Sequence, residues 1–137
     1  FRCKDKNIEI VLGPAVGGII MAAEAARQLG CRAVYAEKEG SALTLRRGFK
    51  LHPGERVLIL DDIVTTGGSV KETINIARNA GAEIVGLGVL ADRSGGKVDF
   101  GFPHEALLRM DLPVYQPDDC PLCKKGEPLT KPGSRKS

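Results

Sequence analysis

At 137 residues the chain has room for one domain, and its 42% hydrophobic content supplies a core. Aromatics are 4% and Trp is absent, so Ile, Leu, Val and Ala must fill that core. A formal charge of +3, with no stripe of Lys and Arg interleaved with aromatics, does not argue for nucleic acid.

The longest largely apolar run, Val11–Ala23, contains Pro14 and three glycines and stops at Glu24. It is too short for a membrane span and lacks the layout of a signal peptide. The four cysteines, Cys3, Cys31, Cys120 and Cys123, sit in a chain with no other mark of a secreted disulfide scaffold, so a reducing cytoplasm is expected.

Ile8–Leu12 is predicted as the first strand. It runs into Gly13-Pro14-Ala15-Val16-Gly17-Gly18, a small-residue loop. A helix follows, with Ile19, Ala22, Ala23, Ala26 and Leu29 at helical spacing and Gly30 as its stop. The loop suits either tight strand–helix packing or an anion approached by backbone N–H groups. Ala33-Val34-Tyr35 is a short second strand. Glu37–Pro53 then has no settled period and carries Lys38, Arg46, Arg47 and Lys50. A connection of that length is expected to be functional or mobile, or else a solvated charged hairpin.

Val57-Leu58-Ile59-Leu60 is a continuous apolar run, the pattern of a strand buried on both faces. Asp61 and Asp62 follow at once, then Ile63, Val64 and a hydroxyl- and glycine-rich turn, Thr65-Thr66-Gly67-Gly68-Ser69. A helix is predicted over Ser69–Ala80, with Val70, Ile74 and Ala77 on one face. Glycines at a helix N-terminus let backbone N–H groups reach an anion. The two carboxylates suit ribose hydroxyls or a cation instead. An ordinary strand–helix turn with capping residues is the alternative. Neither G-x-x-x-x-G-K-[ST] nor a strand-linked G-x-G-x-x-G occurs.

Ile84–Ala91 is the fourth strand and delivers Asp92-Arg93-Ser94-Gly95-Gly96 to the same sheet edge. The Arg93 fork can pair a carboxylate in a bidentate manner, or Asp92-Arg93 can be a surface turn. Phe102–Met110 is ambiguous between strand and helix, and Leu112–Tyr115 is predicted as a last edge strand because Pro113 lacks an N–H. From Gln116 the composition predicts an extended tail. Within it, Cys120-Pro-Leu-Cys123 is half a zinc knuckle whose second half is not nearby, so incidental or redox-labile thiols are favoured over an intrachain zinc. Strands alternating with helices predict an α/β fold with a mostly parallel sheet of about five strands, in a core over 1–116 with a tail over 117–137.

The stretch Asp61–Ser69 resembles the phosphoribosyl diphosphate (PRPP) motif of type I phosphoribosyltransferases. Asp92-Arg93 and the C-P-L-C-K-K tail resemble the orotate phosphoribosyltransferase branch. This resemblance implies the type I fold and transfer of the phosphoribosyl group of PRPP to orotate, giving orotidine 5′-monophosphate and pyrophosphate in UMP biosynthesis. It implies Asp61, Asp62 and Lys38 as catalytic residues, PRPP held by Asp61, Asp62, Ile63, Val64, Thr65, Thr66, Gly67, Gly68 and Ser69, and orotate by Thr65 and Arg93. Ala15, Val16 and Gly17 stand where that family holds pyrophosphate, although its G-P-A-Y-K-G loop carries a lysine that this chain replaces with Gly17. Arg46 or Arg47 is an alternative to Lys38 at the leaving group. Mg²⁺ is expected through PRPP, with no metal site of the protein's own. A homodimer sharing the Glu37–Lys50 loop is expected, with no nucleic-acid or membrane partner, and an N-terminal segment of the family is expected to be missing. A purine phosphoribosyltransferase and a non-catalytic PRPP-sensing regulator remain as alternatives.

Overall fold

A computed structural model describes residues 6–113, 115–116 and 118–128. Its elements are β1 (Ile10–Pro14), α1 (Gly17–Leu29), β2 (Arg32–Glu39), β3 (Ala42–Leu45), β4 (Arg56–Val64), α2 (Gly68–Asn79), β5 (Glu83–Asp92), β6 (Glu105–Arg109) and α3 (Pro121–Lys124). Six strands form one sheet in the order β3-β2-β1-β4-β5-β6, parallel throughout except for the antiparallel β2–β3 pair. The α/β architecture is the one the strand–helix alternation predicts.

Two-sided burial explains the apolar runs. Val57 and Ile59 of β4 pack with Ile10, Leu12, Val70, Ile74 and Ala77 on the α2 face. Leu58 points the other way, to Val11, Ala22 and Ala26 under α1. Alternate residues of one strand thus serve two cores, which is why no polar alternation is visible in β4. Small residues bring α1 close. A Cβ on Gly13 would lie 2.5 Å from the Gly18 carbonyl oxygen and 3.0 Å from that of Leu60, so only glycine fits there. Gly30 ends α1 in the left-handed region at φ 69°, its N–H bonded to the Ala26 carbonyl.

The structure corrects the sequence-based expectations in three places. Glu37–Leu45 is not a structureless connection. β2 runs on to Glu39, turns through Gly40-Ser41 with Gly40 at φ 62°, and returns as β3, which makes the sheet six-stranded. Among the described residues the last strand is β6, inside the ambiguous Phe102–Met110 stretch, rather than Leu112–Tyr115. Of the latter, Leu112, Pro113 and Tyr115 are outside any strand, and Val114 lies outside the described residues. Only Asp111 just before them makes an isolated bridge, to Ser94. In the tail, Cys120 caps the short helix α3 by accepting from the Cys123 N–H at 3.5 Å, while residues 129–137 lie outside the described part. Among the described residues, no helix is long and apolar enough to cross a membrane.

Candidate active site

The parallel strands β1, β4 and β5 end on one edge of the sheet, and the loops after β1 and β4 open there into a cavity of about 310 Å³. Its wall is built from Pro14 at the end of β1 and Ala15–Gly17 after it, Lys38 of β2, Leu43 of β3, Asp61–Ile63 of β4, Thr65–Ser69, and Glu72 of α2. An open α/β sheet places ligands at this edge, where loops from neighbouring strands diverge.

Asp61 and Asp62 are still in β4, which extends to Val64, so the sheet ladder fixes them; Asp61 pairs with Val89 in register. Asp61 is buried at 3% exposure. Its Oδ1 accepts the Asp62 N–H at 2.8 Å and its Oδ2 accepts the Ser69 hydroxyl at 3.0 Å. Burial is the largest influence on its ionisation, and it pushes the carboxyl up to about 6. The two hydrogen bonds oppose that rise and the adjacent Asp62 adds to it. Asp62 is half-buried, and its Oδ1 accepts the Ile63 N–H at 2.7 Å.

The loop from Thr65 to Ser69 leads into α2 through Gly67, which takes φ 77° at the N-cap. A Cβ there would meet Val98 at 2.6 Å and Phe100 at 3.0 Å, so glycine is required both by conformation and by space. Among the described residues no side chain caps α2, so its first N–H groups lack an intrahelical acceptor at the glycine turn that lines the cavity. Opposite it, Ala15 and Val16 are joined by a cis peptide, and the Ala15 N–H donates to the Ala36 carbonyl at 2.6 Å. Gly17 opens α1. A Cβ on Gly17 would overlap the Asp62 carboxylate, so the first loop and the acidic pair meet at van der Waals range.

Most of the residues singled out in the sequence therefore converge: Ala15, Val16, Gly17, Lys38, Asp61, Asp62, Ile63, Thr65, Thr66, Gly67, Gly68 and Ser69 all line the cavity. Val64 does not, because its side chain is buried in the α2-side core. Arg46 and Arg47 also stand apart. Arg47 donates to Glu37 at 3.1 Å, and Arg46 lies 3.6 Å from Glu39 and 3.8 Å from Glu37. Lys38 is the cavity's one basic side chain among the described residues.

Arg93 flanks the cavity rather than lining it. Its N–H donates to the Val64 carbonyl at 2.8 Å, which sets it beside the end of β4. Its Nε is buried with no hydrogen-bond partner among the described residues. Behind it, Asp92 is wholly buried, accepts the Ser94 N–H at 2.8 Å and the Ser94 hydroxyl at 2.6 Å, and lies 3.3 Å from His104 Nε2. Burial alone would raise the Asp92 carboxyl, but Ser94 and His104 outweigh it and hold it below its ordinary value.

Glu72 was missed in the sequence. It follows Ser69 by three positions, and helical side chains lean toward the N-terminus, so the i, i+3 spacing from the glycine turn is the signal that points it at the cavity.

A strand end carrying an acidic pair, a helix N-terminus behind a glycine turn, and a second glycine loop in contact with the acidic pair are the parts a site for a phosphorylated sugar needs. Comparison with known proteins gives this class its name. The family described as phosphoribosyl transferase domain matches residues 2–100, and the chain belongs to that family. Its similarity is to the orotate phosphoribosyltransferases in particular. That of Caldanaerobacter subterraneus subsp. tengcongensis is 54% identical over 135 residues, covering 98% of this chain and 71% of the relative. That of Thermotoga maritima is 55% identical over 132 residues, covering 96% and 71%. Among solved structures, adenine phosphoribosyltransferase from Rhodothermus marinus superposes with a TM-score of 0.69 at 25% identity, over 77% of this chain and 72% of that one. Orotate phosphoribosyltransferase from Aeropyrum pernix superposes with a TM-score of 0.61 at 26% identity, over 75% and 61%.

Proposed function

We propose that the cavity between the β1 and β4 loops is where this chain carries out the reaction of its orotate phosphoribosyltransferase relatives: the phosphoribosyl group of PRPP passes to orotate, yielding orotidine 5′-monophosphate and pyrophosphate. The observation that carries this is the contact between Gly17 and the Asp62 carboxylate, which brings the two loops and the acidic pair to one cavity.

The roles follow from the chemistry of each wall. Asp61 and Asp62 accept hydrogen bonds from the ribose hydroxyls and face the positive charge that develops on the ribose ring as the C1–O bond breaks, an electrostatic stabilisation set in place before the reaction. The N–H groups and hydroxyls of Thr65–Ser69 hold the 5′-phosphate at the start of α2. Ala15–Gly17 hold the diphosphate through backbone N–H groups, since no lysine stands in that loop. Lys38 supplies the cation beside the departing pyrophosphate. Arg93, with its Nε buried and unpartnered among the described residues, is the donor suited to the orotate carboxylate, because a buried donor without an acceptor is costly and a carboxylate removes that cost. Thr65 adds a hydroxyl on the same side.

The wall carries three carboxylates, Asp61, Asp62 and Glu72, against one lysine. A polyanion enters such a cavity more easily with a divalent cation, and hard carboxylate oxygens suit Mg²⁺. The described residues contain no group of three or more His, Cys, Asp or Glu that could hold a metal by themselves. Such an ion would rest on phosphate oxygens beside Asp61 and Asp62 and neutralise charge there.

The enzyme is further taken as a homodimer in which the Glu37–Lys50 segment is shared across the interface; a monomer by sedimentation at micromolar concentration would contradict it. The decisive test of the reaction is a panel of radiolabelled orotate, uracil, adenine and guanine with PRPP. Orotate should be the base converted. Conversion of adenine or guanine instead would overturn the orotate assignment and leave the family standing.

A further inference from the structure

Glu72 presents a problem for the proposed function, and the role inferred for it rests on that function. A carboxylate lining a cavity built for a polyanion opposes binding. Its contacts explain why it is there. Glu72 Oε2 accepts the N–H of Leu43 at 2.8 Å. Leu43 belongs to β3, the edge strand of the sheet, so this N–H is one that an edge would otherwise present to water. Leu43 is buried at 7% exposure and pairs in register with Lys38 across the hairpin. Lys38, Leu43 and Glu72 all line the same cavity.

We propose that Glu72 is a positioning residue: from the phosphate-loop helix it holds Leu43, and through the Lys38–Leu43 pair it fixes the β2–β3 hairpin so that Lys38 faces the departing pyrophosphate. Beyond the β2–β3 ladder itself, the pairs of Glu37 and Glu39 with the exposed Arg46 and Arg47 restrain the hairpin little, since such pairs contribute little. A carboxylate acceptor for a partly buried N–H is the stronger restraint. The same contact links the 5′-phosphate loop to the hairpin, because Glu72 and Ser69 are neighbours on one face of α2.

The test is a double-mutant cycle, with hydrogen exchange beside it. Glu72→Ala should lower kcat/KM for PRPP about tenfold, the loss expected for one charge-assisted hydrogen bond, with the KM for orotate little moved. In a Lys38→Ala background it should cost almost nothing more, because it acts through Lys38. Glu72→Gln keeps an acceptor for Leu43 and should recover most of the loss. In the unliganded protein, amide exchange across Glu37–Leu45 should quicken in Glu72→Ala and return toward the parent rate in Glu72→Gln. Losses that multiply in the double mutant, or hairpin exchange unaltered in Glu72→Ala, would overturn the inference. If the parent shows no PRPP-dependent turnover, the proposed function fails, and the exchange rates still decide whether Glu72 fixes the hairpin.

Discussion

Asp61 and Asp92 lie in neighbouring strands at the same edge of the sheet, and both are almost completely buried, at 3% and 0% exposure. Their ionisations move in opposite directions. Burial pushes both upward, so the difference lies in the partners. Asp92 receives two hydrogen bonds from Ser94 and faces His104. Asp61 receives one backbone and one hydroxyl hydrogen bond and has the Asp62 carboxylate beside it. A fully partnered carboxylate has finished its chemistry and holds the turn that carries Arg93. An under-partnered one at a cavity wall is left to be completed by a ligand, which is how perturbed groups mark functional sites.

The largest expected effect breaks the Asp61 side. Asp61→Asn with Asp62→Asn should lower PRPP-dependent turnover by at least about 10³-fold, since each preorganised group of this kind contributes about 10²–10³. The fold should persist, because the sheet ladder and the two cores around β4 do not depend on the carboxylates. Circular dichroism with steady-state kinetics reads both; near-normal kcat would remove Asp61 and Asp62 from the site.

On the other side, Asp92→Ala strips Ser94 and His104 of their shared acceptor in a buried place. A loss of about 3 kcal/mol in unfolding free energy is expected, the scale for breaking a buried pair. Denaturant titration measures it, and a change below about 0.5 kcal/mol would show that Asp92 does not hold this turn.

Arg93 sharpens the comparison, because it is the residue between Asp92 and its partner Ser94. Arg93→Ala should lower kcat/KM for orotate about ten- to a hundredfold, corresponding to roughly 1.5–3 kcal/mol for a charged hydrogen bond. PRPP affinity, followed separately, should hold. Lys at this position should rescue only part, lacking the planar fork. Unchanged orotate kinetics would dissociate Arg93 from the base.

The smallest effect is the pH dependence of stability, and its sign separates the two aspartates. Asp61 has a folded-state value above its ordinary one, so its contribution to stability is complete below about pH 4 and is lost as pH rises through about 6. Asp92 is held below its ordinary value, so its contribution is present above that value and is lost as pH falls through the depressed folded one. Relative to the parent, Asp61→Asn should therefore gain about 2 kcal/mol between pH 4 and pH 7. A parallel pH profile for parent and variant would contradict the raised value.

How much of this was legible in the sequence depended on how local the cause was. The β4–α2 unit was readable because a four-residue apolar run, two carboxylates and a glycine turn each act within a few residues of themselves. The hairpin was obscured by charge: Glu37, Lys38 and Glu39 hide a strand that only Val34 and Ala36 bury. Its signal was there in Gly40-Ser41 followed by Leu43 and Leu45 in alternation, a two-residue turn between strands. β6 was ambiguous because Leu107 and Leu108 are both exposed, so no inside-out pattern separates strand from helix. Glu72 was least legible. Its meaning lies in the N–H of Leu43, twenty-nine residues away along the chain, and only the fold brings the two together.

The central claim is that Asp61 is kept buried and under-partnered for ribose hydroxyls to complete. Its most direct test is a carbon-13 NMR titration of the Asp61 carboxyl, assigned with the Asp61→Asn variant, without ligand and with ribose 5-phosphate bound. The expected midpoint is about 6 in the unliganded protein, moving down toward the ordinary carboxylate value once the sugar hydroxyls donate to it. A midpoint near the ordinary value without ligand, unmoved when the sugar phosphate binds, would contradict the account.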